Sequence, residues 1–127
     1  MTDRAIAEDW LRRYRVAWES NDEDDIRGLF TDDAVYRYNP VDPDPAVGIE
    51  AIVASWLENR DEPGDTEFEG KVLAVDGDLA ILQCVTTYVN AEPPKTYDNL
   101  WVVRLAGDGR ASEFTEWYIL RKPEAGA

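Results

Sequence analysis

Proton transfer by carboxyl and phenol groups is the chemistry these residues leave open, because the chain has no histidine. That absence removes Ser–His and Cys–His nucleophile pairs and every histidine metal site. The one cysteine, Cys84, cannot build a zinc site alone. It reads as a small buried hydrophobe rather than a nucleophile. No G-x-S-x-G elbow, P-loop or dinucleotide fingerprint occurs, and Gly107-Asp108-Gly109 reads as a hairpin turn. Asp42 and Asp44 could offer oxygens to a cation, but they lie between prolines in a solvated loop and lack the calcium-loop pattern. No metal and no cofactor are therefore expected. What remains is acid–base work by Asp, Glu, Tyr and Cys84, with burial setting the relevant pKa.

The elements that would position such groups fit one domain spanning residues 1–127. The 27 acids and 13 basic residues give a net charge of −14. Such a field repels phosphate polymers and anionic lipid, so neither nucleic acid nor membrane is an expected partner. A lone cysteine suits a reducing compartment. The opening MTDRAIAEDW has no apolar core for a secretory signal, so a cytoplasmic location is expected.

Ile6, Trp10, Leu11, Tyr14, Ala17 and Trp18 make one stripe on a helix over 3–19, with Thr2 or Asp3 as its cap. Ser20-Asn21-Asp22 starts a short second helix over 23–30, stopped by Thr31-Asp32-Asp33. Residues 34–39 form a short strand and a proline-rich loop follows. Gly48 precedes a third helix ending near Asn59, and Pro63-Gly64 marks a loop. From Phe68 the period becomes two, giving strands over 68–75, 79–90, 96–105 and 110–120, then a frayed tail. Helices first and antiparallel strands after is an α+β layout. The long strands are apolar on both faces. The helices cover one, so a homodimer is expected through the other, at Val85 and Trp117.

The segments LRRYRVAWESNDEDDIRGLFTDDAVYRYNP, VGIEAIVASWL and LWVVRLAGDGRASEFTEWYI resemble the nuclear transport factor 2-like superfamily. Within it they are similar to the SnoaL-like and ketosteroid-isomerase-like proteins. The resemblance implies a cone: a strongly curved mixed or antiparallel sheet with three N-terminal helices in its concave face and a pocket at one end. It also implies positions. The helix-1 tyrosine of the steroid isomerases matches Tyr14. Their general-base aspartate falls on Asn39, and their protonated aspartate falls on or next to Trp101. One element of three is kept, so steroid isomerisation by that mechanism is not expected.

The same resemblance turns Phe114, Glu116 and Tyr118 into the cone, with Cys84, Thr86, Tyr88, Asn99 and Trp101. Trp18 joins the wall, and Val35, Arg37 and Asn39 share a face of the short strand. Glu116 would be either a general acid or base, or half of a buried ion pair with Arg37. Tyr14 would donate to a ligand oxygen or fill the core. Two functions follow. One is cofactor-independent isomerase, cyclase, dehydratase or hydrolase chemistry by Glu116 and Tyr14 on a small apolar oxygenated molecule. The other is a non-catalytic ligand-binding or protein-interaction module.

Overall fold

The apolar stripe of the first segment folds as α1, Arg4–Ser20, in the computed structural model, which describes residues 4–60 and 64–122. The expected Thr2 or Asp3 cap, loop residues 61–63 and the tail past Lys122 lie outside the described residues. Ala7, Trp10, Tyr14 and Ala17 are the buried side of α1. The Trp10 indole N–H donates to the Leu29 carbonyl at 2.9 Å, so even this fully buried ring has its polar atom satisfied. Asp22 caps α2, Glu23–Arg27, accepting from the backbone N–H groups of Asp24 and Asp25. This helix is shorter than its sequence pattern indicates. It turns at Gly28, and Phe30 already opens β1, Phe30–Arg37. The pull is tertiary: the Leu29 carbonyl accepts from both Trp10 and the Ala111 backbone N–H.

Residues 46–47 of the proline-rich segment add β2, Ala46–Val47, a two-residue edge strand on β1. Gly48, at φ 89°, then leads into α3, Ile49–Glu58. Four longer strands follow: β3, Thr66–Asp76; β4, Leu79–Tyr88; β5, Lys95–Leu105; and β6, Ala111–Leu120. They join in a curved, unclosed mixed sheet of order β2-β1-β6-β5-β4-β3. The one parallel pair is β1 with β6. The α+β cone expected from the sequence is thus the observed fold.

The concave side of the sheet meets the helices over an aromatic core. Trp10, Phe30, Trp101 and Phe114 are essentially inaccessible to solvent. The convex side of β5 and β6 carries Trp117 and Ile119, which are 50% and 72% exposed. Among the described residues, no helix is long and apolar enough to cross a membrane.

Candidate functional site

Strand alternation brings the polar residues of three neighbouring strands to one place inside the cone. Trp101 of β5 stands opposite Glu116 of β6, and Asn99 opposite Tyr118. The Asn99 side-chain N–H donates to Oε2 of Glu116 at 2.7 Å, and the Trp101 indole N–H donates to the same oxygen at 3.0 Å. Behind them, the Thr86 hydroxyl on β4 donates to Oδ1 of Asn99 at 3.1 Å. This last bond fixes the Asn99 amide with its N–H toward the carboxylate. Oε1 of Glu116 has no hydrogen-bond donor described, so one oxygen is held and the other is available.

Burial pushes the Glu116 carboxyl above the ordinary glutamate range, and the two donors only partly offset it. Tyr14, projecting from α1, and Tyr36, from β1, are both buried on the wall of the same cavity. Burial raises both phenols well above their ordinary value, and the Glu116 charge adds to the rise in each. Both therefore stay protonated and able to donate. Tyr38 and Ser55 form a further hydroxyl pair between β1 and α3.

These groups line a cavity of about 400 Å³. Its deep wall holds Tyr14, Tyr36, Thr86, Asn99, Trp101 and Glu116. Trp18, Trp56, Tyr88, Tyr97 and Tyr118 supply much of its remaining lining. Among the described residues, Glu116 is the sole carboxylate in the lining and Arg60 the sole cation. No group of three or more Cys, Asp or Glu residues among them is placed to hold a metal. Asp42, considered above for a cation, instead accepts from the backbone N–H groups of Tyr38 and Asp44 and so fixes its own turn.

The structure brings together Tyr14, Trp18, Thr86, Tyr88, Trp101, Glu116 and Tyr118, as the sequence indicated. Cys84 and Phe114 lie on the expected inward faces but behind the lining, wholly in the core. Arg37 and Asn39 are corrections. On β1 it is Ala34 and Tyr36 that are buried, with Tyr36 and Tyr38 reaching the cavity. Arg37 is on the opposite face and makes no ion pair with Glu116. Asn39 spends its carbonyl oxygen on the Val41 backbone N–H at 2.9 Å, tying a turn outside the cavity. Sequence reading missed Ile52, Ser55 and Asn59, which α3 and its C-cap bring to the cavity beside Trp56. Their spacing of i, i+3, i+4 and i+7 was the available signal, since two polar residues interrupt one helical stripe.

A family model described as the SnoaL-like domain matches residues 11–114. The chain belongs to the SnoaL-like domain family. No curated protein sequence matches this SnoaL-like chain. Solved structures do match its fold. An NTF-2 like protein of unknown function from Burkholderia xenovorans superposes with TM-score 0.73 at 16% identity, covering 96% of this chain and 89% of that one. An LEH-like epoxide hydrolase from M. tuberculosis gives TM-score 0.68 at 16% identity, covering 93% and 86%. A ketosteroid isomerase-like protein from Erwinia carotovora gives TM-score 0.65 at 22% identity, covering 91% and 95%. At such identities the likeness to these structures is one of fold, on which unrelated chemistries sit.

Proposed function

We propose that this SnoaL-like chain, as one domain over 1–127, binds a small, mostly apolar, oxygenated molecule in the cone and moves a proton on it without a cofactor. The observation that carries this reading is the state of Glu116: partly buried, raised in pKa, held at Oε2 by Asn99 and Trp101, and bare at Oε1. A carboxylate with a raised pKa is a stronger base, and its acid form persists nearer neutrality. Glu116 takes a proton from a carbon or hydroxyl beside a carbonyl and returns it at a second position. Tyr14 stabilises the oxyanion that develops. Tyr36 offers a second hydroxyl on the same wall. Isomerisation, cyclisation, dehydration and hydrolysis all fit this pair. The aromatic lining favours a flat ligand.

The test is a panel of cyclic enones, epoxides and phenols, detected by quenching of tryptophan fluorescence and then recovered and analysed. A bound compound should come back changed by the native chain and unchanged by Glu116→Gln. Equal turnover by that variant would remove Glu116 from the role. Every bound compound returning intact from the native chain would leave the binding-only reading, which the occupation of the family base position by Asn39 favours. We further propose a cytoplasmic location and a homodimer across the convex face at Val85 and Trp117; exposed Trp117 and Ile119 support the latter.

A further inference from the structure

Between α1 and β3 lies a second cleft, of about 320 Å³. β3 is the free edge of the sheet. Arg4, Arg12 and Arg15 reach the cleft from one side of α1, and Lys71 from β3. Four of the chain's thirteen basic residues thus stand around one cleft, against a single acid, Glu8, in a molecule of net charge −14. Arg4, Arg15 and Lys71 have no ion pair among the described residues, and Arg12 meets only Asp9.

The backbone adds donors of its own. Arg15 donates to the Phe68 carbonyl, and Arg4 donates to the Val72 carbonyl at 2.8 Å. In an antiparallel strand, a residue's N–H and C=O leave on the same side, and alternate residues share that side. Phe68 and Gly70 therefore turn their N–H groups to the cleft as well. The guanidinium groups occupy the flanking carbonyls of Phe68 and Val72, which leaves the Gly70 carbonyl as the open backbone acceptor among these donors and positive charges. Glycine at 70 lets the strand pack closely here: a Cβ would stand 3.0 Å from Sγ of the buried Cys84, 3.2 Å from the Phe68 ring and 3.4 Å from Leu11, the last two being cleft residues.

We propose that this cleft is a binding site for a small multivalent oxyanion of the phosphate type, held by Arg12, Arg15, Lys71 and the Gly70 N–H. A monocarboxylate would leave most of the local charge uncompensated. A long polyanion would extend beyond the roughly 8 Å screening length into the repulsive field of the acidic surface. A compact anion stays within the local field. The site is separate from the cone, and its occupancy does not depend on any role of Glu116.

Titration of ¹⁵N-labelled protein with sodium pyrophosphate at constant ionic strength tests the proposal through the Gly70 and Phe68 amide resonances. Both should move saturably, with inorganic phosphate binding more weakly and acetate more weakly still. The double variant Arg12→Gln, Lys71→Gln breaks none of the edge-strand bonds described and should weaken pyrophosphate binding about tenfold. Arg15→Gln, a second variant, should weaken it comparably. Phosphatidylglycerol vesicles should not sediment with the protein. The proposal is overturned by a Gly70 amide that does not respond to pyrophosphate, by unaltered affinity in the double variant, by acetate binding equally well, or by vesicle binding at these residues.

Discussion

Trp101 and Glu116 are direct cross-strand partners, and the indole N–H of one donates to Oε2 of the other at 3.0 Å. A large apolar ring thereby supplies one of the two bonds that keep a partly buried carboxylate tolerable. The other comes from Asn99, itself held by Thr86, so the arrangement spans β4, β5 and β6.

Glu116→Gln should stabilise the fold near neutral pH by about 1 kcal/mol, at the expense of any turnover. The sign follows from the raised pKa. Folding favours the protonated form, so the stability Glu116 contributes is present below its unfolded value and is lost as pH rises through the higher folded value. Glutamine keeps an acceptor for Asn99 and Trp101 without the charge. The advantage of the variant in urea unfolding should shrink toward zero below about pH 4, under the ordinary glutamate pKa. An advantage that grew on acidification would contradict the assignment.

Trp101→Phe removes one donor and should move the Glu116 pKa further up. The side-chain carboxyl carbon resonance of Glu116, followed through a pH titration, reads this directly. The smaller ring should also cost about 1–3 kcal/mol of stability. A midpoint that stayed in place would mean the indole bond does not act on the carboxylate.

Cys84 should resist thiol reagents in the native state. It is 1% exposed, and burial together with the Glu116 charge pushes its thiol up to about 12. Labelling at pH 8 should therefore be slow in the folded chain and fast in denaturant. Prompt native-state labelling would show that the cone wall behind the cavity opens.

If the chain pairs across its convex face, Trp117→Lys should yield a monomer by light scattering where the native chain gives twice the mass. Trp117 lies opposite Leu100, so the lysine would place a charge on the apolar part of that face. A native monomer would exclude the dimer outright.

The inward faces of β4, β5 and β6 were legible because long strands over a helical layer alternate cleanly, as at Thr86, Asn99, Trp101 and Glu116. Family likeness added the direction of that alternation. The same likeness led the reading astray on β1, where it tied the face to Asn39. Both faces of β1 hold aliphatic or aromatic residues, and its pairing with β6 shifts register between Phe30 and Val35, so alternation there is a weak guide. The pocket residues of α3 were hidden for another reason. Ser55 and Asn59 are polar, and an apolar stripe does not announce polar members that face a cavity. The ends of α2 and β1 depended on Leu29 meeting Trp10 and Ala111, contacts distant in sequence.

The position of β6 has a consequence for synthesis. It lies between β1 and β5 and joins the first strand of the sheet to the hairpins made later. A ribosome-bound chain that ends before Ala111 holds two sheet fragments with no strand between them. The wall that carries Glu116 is then absent, and the aromatic linings of both fragments are open to water. Any ligand capture by the cone would therefore need a chain that has emerged past Leu120, and until then those surfaces are the ones a chaperone would meet.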